Sequence, residues 1–262
     1  MSFDLVAPHY RWLETIAFGN ALQRARTRWI DTLARPKRTL IVGEGDGRFL
    51  CELVRAFPTI DVDCIDASEA MLQLARARLR RTHPESFSHV HFICEDILRW
   101  SPQQSYDLLV THFFLDCFPG TELQAVIAKL ASAAEPGAVW LIADFSIPRK
   151  RFARAHARLW LRMMYTFFRA TAGIAANELG DPTPYLNDHG FIRASENLSR
   201  GRMLRSDVYV QSRRKSPCFV AKFASAGRRK SWYTLAQSLG SGQEWLTEVK
   251  RRHSSAGRAA DL

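Results

Sequence analysis

No stretch of this 262-residue chain comes near the ~20 uninterrupted apolar residues that a membrane-spanning helix requires. Its five cysteines, Cys51, Cys64, Cys94, Cys117 and Cys218, include no CxxC pair and have no histidine at ligand spacing. Thiols scattered in that way argue against a disulfide framework and against a zinc site, so no bound metal is expected. The opening MSFDLVAPHYRW carries an early acid and lacks the apolar core of a signal peptide, which leads us to expect a cytoplasmic protein. Acid is also short relative to base: 37 Lys and Arg face 26 Asp and Glu, a net of +11. Such a balance raises nucleic acid as a partner, but its distribution weakens the idea. Residues 211–262 hold eleven of the bases and three of the acids, so +8 of the excess sits in the last fifth. The rest is almost balanced, and nucleic acid is not the expected partner. Segment 212–262, rich in Ser, Gly and Arg, is expected to be a basic and largely disordered tail.

What is present is an alternation. Apolar runs at 39–43, 61–66, 89–96, 106–114 and 138–145 are separated by amphipathic stretches at about 47–57, 68–81 and 121–134. That spacing requires crossover connections, hence parallel strands covered on both faces. The runs IV, LLV and VWLI are continuously apolar, as doubly buried strands are. Ser68 is placed to cap the second helix, and Pro136-Gly137 is expected to close the third. Two later segments, GFIRASENLSR and GRMLRSDVYVQ, read as an antiparallel pair. The expected fold is α/β: a Rossmann-like, doubly wound, mostly parallel seven-stranded sheet with helices on both faces and that C-terminal antiparallel pair.

The first strand ends in TLIVGEGDGRFL, where Gly43, Gly45 and Gly47 alternate with single residues. Open α/β sheets bind ligands beyond the carboxyl ends of their strands, and this bend lies there. A dinucleotide fingerprint would carry its third glycine at position 48, which is Arg48, and no P-loop Lys follows. Strand two ends in Asp66, placed to accept from ribose hydroxyls, and strand three ends in Glu95-Asp96, where a carboxylate can accept from an adenine amine. Acids at successive strand ends without a basic partner suit a cofactor with a ribose and a base but no phosphate. S-adenosylmethionine is such a molecule.

In this order and spacing, GEGDGRFL, CIDASEAML, ICEDIL, YDLLVTHFF and PGAVWLIADF resemble class I S-adenosylmethionine-dependent methyltransferases across residues 38–145. The resemblance implies that Gly43, Gly45 and Gly47 pass under the methionine part of the cofactor, that Asp66 meets the ribose, and that Asp96 and the Ile97 backbone meet adenine. Ala67 and Thr111 complete the expected cofactor set. The family usually has an acid two residues before the first glycine; here that residue is Ile41, and Glu44 inside the bend is the candidate substitute, with its contact to the amino group left open. The stretch FDLVAPHYRW, through Phe3-Asp4, Ala7 and Tyr10, resembles the leading helices of ubiquinone/menaquinone-type C-methyltransferases, although Arg11 stands where those have an acid.

His112 and Asp144, at the ends of strands four and five, and Tyr10 are the candidate catalytic residues. Phe113, Phe114 and Phe145 give the opening an apolar lining, so a small apolar or aromatic acceptor, such as a quinone or lipid precursor, is expected. The chain then divides into a helical cap over 1–36, a methyltransferase domain over 37–211 with an inserted helix at 149–170, and the tail. Arg151, Arg154, Arg158, Arg162 and Arg169 line up on that inserted helix. It either roofs the acceptor pocket with its arginines in water, or lies peripherally on a membrane surface. Two rival functions stand beside the enzyme: a catalytically silent binding protein, favoured by Ile41 and Arg11, and RNA methylation, suggested by the tail.

Overall fold

In chain order the computed structural model, which describes residues 20–146, 180–199 and 203–212, shows twelve regular elements among those residues. They are α1 (Ala21–Thr27), β1 (Arg38–Val42), α2 (Arg48–Ala56), β2 (Asp61–Asp66), α3 (Glu69–Thr82) and β3 (Val90–Cys94). After these come β4 (Tyr106–His112), α4 (Gly120–Ser132), β5 (Ala134–Phe145), α5 (Thr183–Asp188), β6 (Phe191–Ser199) and β7 (Leu204–Gln211). The expected contacts of Tyr10, the helix at 149–170 and nearly all of the 212–262 tail lie outside the described residues.

The strands form one seven-stranded sheet in the order β3-β2-β1-β4-β5-β7-β6. The first five run parallel; β7 is antiparallel to both β5 and β6. From β1 the chain winds outward to β3 and then returns to place β4 on the other flank of β1. The switch point therefore falls between β1 and β4, with Thr39 beside Leu108 and Val42 beside Thr111.

Strand alternation sorts the core into two layers. Leu40, Val42, Leu109, Trp140 and Ile142 face α4 and α5, while Ile41, Leu108, Val110, Val139 and Leu141 face α2 and α3. Each fully buried aliphatic chain contributes about 1.5–3 kcal/mol relative to exposure, which fixes the register: a one-residue slip would exchange the faces. Ser68 caps α3 as expected, its Oγ accepting from the Met71 N–H at 3.3 Å.

Pro136-Gly137 does not close α4. The helix ends at Ser132, and the two residues lie inside β5, which starts at Ala134. Ala134 pairs with Tyr106, and the register shifts between Tyr106 and Leu108. Tertiary pairing has extended the strand through a proline at its irregular start, where no ladder donor is needed.

Helix α1 is tied to α2 and to β7 by two side-chain bonds. Gln23 Nε2 donates to the Arg48 carbonyl at 3.2 Å, and Ser206 Oγ of β7 donates to the Ala25 carbonyl at 2.8 Å.

Candidate active site

The glycine bend is braced from three directions. Glu44 Oε1 accepts from the Phe49 and Leu50 N–H groups, each at 2.9 Å, and so satisfies two of the orphan donors at the start of α2. Asp46 is gripped by Arg48 Nε at 3.0 Å and by Arg78 Nη2 at 2.7 Å, the latter reaching over from α3. Asp66, at the end of β2, accepts from the Gly45 N–H at 3.2 Å through Oδ2 and from the Ser68 N–H at 2.9 Å through Oδ1.

The glycines then do different things. A Cβ on Gly47 would come within 2.8 Å of the Ala75 Cα, so this residue lets α2 and α3 close on each other. Among the described residues, a Cβ on Gly45 would meet nothing within 4 Å. Gly45 has φ +70°, a left-handed backbone that L side chains rarely adopt, and it presents bare main chain to open space beside Asp66.

Asp96 lies on the same rim. The Glu95 N–H donates to the Asp66 carbonyl at 3.1 Å, tying the ends of β2 and β3 together. Asp96 is exposed and starts a tight turn: its Oδ1 accepts from the Leu98 N–H, and its carbonyl accepts from the Arg99 and Trp100 N–H groups. Those bonds pass over the Ile97 N–H, while the Ile97 side chain packs into the core. Ala67 is exposed between the two acids. The sequence therefore brings Gly43, Gly45, Gly47, Asp66, Ala67, Asp96 and Ile97 to one edge of the sheet. The arrangement fits a nucleoside: a carboxylate has about four acceptor sites, enough for the backbone bonds of Asp66 and a ribose diol together.

Two expectations change. Thr111 is fully buried, and its Oγ1 accepts from the Trp140 Nε1 at 2.9 Å, with strands paired on both sides. It belongs to the core and not to the cleft. His112 and Asp144 do not converge. His112 stands edge-on to Phe49 at 4.5 Å on the α2 face, whereas Asp144 follows Ile142 onto the opposite face.

The electrostatics differ too. Burial, followed by the nearby Arg26 charge, holds the His112 imidazole well below its usual pKa, so the ring is neutral near pH 7. Burial pushes the Asp144 carboxyl well above the usual range; Asp116 adds to this, while Arg205 opposes it. Among the described residues its Oδ1 has no hydrogen-bond partner. Asp116, just past the end of β4, is a neighbour that sequence reasoning missed, although an acid at a strand end was itself a signal. The Asp46–Arg78 pair, 32 positions apart, left no local trace.

Past β4, Phe113 has φ +55°, an outlier for a bulky residue, and its N–H donates to the Ala143 carbonyl at 2.6 Å. Its ring packs against Phe145 at 5.1 Å. The strained backbone sets this aromatic side chain just past the carboxyl end of β4.

Residues 40–140 match the family model of a methyltransferase domain. That segment contains the bend, Asp66, Asp96 and the β4 end. Among curated proteins, the chain is 27% identical over 111 residues to the mouse tRNA N(3)-cytidine methyltransferase METTL2, covering 41% of this chain and 28% of that protein. It is 28% identical over 128 residues to the trans-aconitate 2-methyltransferase of Methylobacterium radiotolerans, covering 48% of this chain and 45% of the relative. The chain thus spans less than half the length of these relatives. Among solved structures, an O-methyltransferase family protein from Burkholderia thailandensis superposes with a TM-score of 0.58 at 18% identity, over 80% of this chain and 63% of that one. The N-methyltransferase NodS from Bradyrhizobium japonicum, solved with S-adenosyl-L-homocysteine, gives 0.52 at 17% identity, over 74% and 88%. The methyltransferase-domain match and these neighbours agree with the class I fold. They leave the narrower ubiquinone/menaquinone grouping unsupported.

Proposed function

We propose that the chain is an S-adenosylmethionine-dependent methyltransferase. The observation that carries this reading is the bare floor at Gly45, flanked by Asp66 and continued along the same rim to Asp96. Asp66 would hold the ribose, Asp96 and the Ile97 N–H the adenine, and the bend the amino-acid part. Bound cofactor supplies an electrophilic methyl group on a cationic sulfur. The chain's own task is orientation and exclusion of water. Glu44 caps α2 through Oε1 and so braces the bend.

The acceptor we propose is small and apolar or aromatic, supported by the Phe113–Phe145 pair at the opening. If it must lose a proton, His112 and Asp144 are the candidate bases, each carrying a buried polar atom, Nδ1 and Oδ1 respectively, with no hydrogen-bond partner among the described residues. Matched relatives that act on a tRNA and on trans-aconitate share the 40–140 segment, which is what a common cofactor half with divergent acceptor parts would produce.

Calorimetric titration with S-adenosylhomocysteine tests the proposal. Saturable binding is expected, and Asp66→Ala should weaken it at least tenfold. Absence of heat with the wild-type chain would refute it.

A further inference from the structure

Among the described residues, β3 stands at the edge of the sheet and pairs with β2 alone. The groups assigned to adenine, the Asp96 carboxylate and the Ile97 N–H, sit just beyond it, in a turn that runs from Asp96 to Trp100. The start of this turn closes on itself. The Asp96 carbonyl accepts from the Arg99 and Trp100 N–H groups at 2.8 and 2.9 Å, and Asp96 Oδ1 accepts from the Leu98 N–H at 2.9 Å. Its later carbonyls are served differently. Among the described residues, no backbone N–H donates to the Leu98 or the Trp100 carbonyl.

One side chain takes both. Lys129, in the last turn of α4, donates from Nζ to the Leu98 carbonyl at 2.6 Å and to the Trp100 carbonyl at 2.5 Å. We propose that Lys129 is a positioning residue for adenine: by holding two carbonyls of the turn, it sets Asp96 and the Ile97 N–H for the base without touching the ligand. The proposal rests on the methyltransferase reading. The Ile97 and Trp100 side chains are buried in the same core cluster as Ile127 and Leu130 of α4. Apolar burial keeps the turn near the helix, but it is non-directional. Bonds from an ammonium are directional and about twice as strong as neutral ones, and two of them at different carbonyls fix an orientation that one would not. The Lys129–Leu98 bond spans 31 positions. Through it α4, a helix holding none of the expected cofactor residues, enters cofactor recognition.

The test compares two ligands on the full-length chain. S-adenosylhomocysteine carries the adenine amine; its 6-deamino analogue has hydrogen in that place and is otherwise identical. By calorimetry the wild type should prefer S-adenosylhomocysteine about tenfold. Lys129→Met and Lys129→Gln should each narrow that preference to about threefold or less, mainly by weakening S-adenosylhomocysteine, and Lys129→Arg should recover part of it. Amide hydrogen exchange on the unliganded chain gives a second readout. In Lys129→Met the Leu98, Arg99 and Trp100 amides should exchange at least about tenfold faster, with the Val110 amide of β4 unchanged. A wild-type preference retained in both Lys129→Met and Lys129→Gln would overturn the proposal. So would exchange that accelerates equally at Val110, which marks general loosening. Wild-type binding that does not favour the amine would overturn it as well, since the turn would then not read adenine. If the wild-type chain binds neither ligand, the methyltransferase reading itself fails.

Discussion

Glu44 shows how one side chain can serve the fold at some electrostatic cost. Its carboxylate caps a helix start, where a negative charge is favoured. Burial outweighs that gain, and the pKa rises from 4.5 to about 7, with Arg26 and the two backbone donors pulling the other way. The sign follows directly. The folded state binds a proton more tightly than the unfolded chain, so the contribution is fully present below pH 4.5. It is lost as pH rises from about 4.5 to 7. Glu44→Gln keeps the acceptor for Phe49 and Leu50 and removes the titration. Denaturant midpoints measured across that range should fall less steeply with pH in the variant than in the wild type. Gly47 carries a steric constraint. Its φ of +81° and the nearby Ala75 backbone mean that Gly47→Ala should destabilise by about 2 kcal/mol or more, read as a lower denaturant midpoint.

At the level of elements, the parallel core could be read before any coordinates. Continuous apolar runs mark doubly buried strands, and Ser68 marked a helix start. The bend, Asp66 and Asp96 were legible as well, because strand ends converge on one edge in this topology. Thr111 was misassigned for a physical reason. Proximity to a strand end is visible in sequence, but the face a side chain takes depends on its partner, here Trp140 on the neighbouring strand. The correction can be checked. Thr111→Val leaves the buried Trp140 N–H without an acceptor and should cost about 1–3 kcal/mol in unfolding free energy. Cofactor affinity, read by calorimetry, should stay unchanged. The same face rule separated His112 from Asp144. Alternation places residues two apart together, and these two differ in parity relative to Trp140 across the paired strands.

On the scale of the whole molecule, the proposed cofactor links elements that are distant in sequence. A ligand held by the ends of β1, β2 and β3 together binds only the folded state, so it must raise stability by mass action. At a ligand concentration 100 times its Kd the gain is about 2.7 kcal/mol. Thermal melts with S-adenosylhomocysteine should therefore shift upward by several degrees in the wild type and barely move in Asp66→Ala. The +11 charge is a separate matter. Its weight lies in residues 211–262, and the matched methyltransferase segment lies within 40–140.

The Ser206–Ala25 bond spans 181 positions. During synthesis, α1 can take its Gln23 bond to α2 early, but its second tie waits until β7 has left the ribosome. The early half of the sheet can assemble beforehand, with its bend formed and α1 held on one side only. A nascent chain halted before Ser206 should accordingly bind S-adenosylhomocysteine more weakly than one that has passed it.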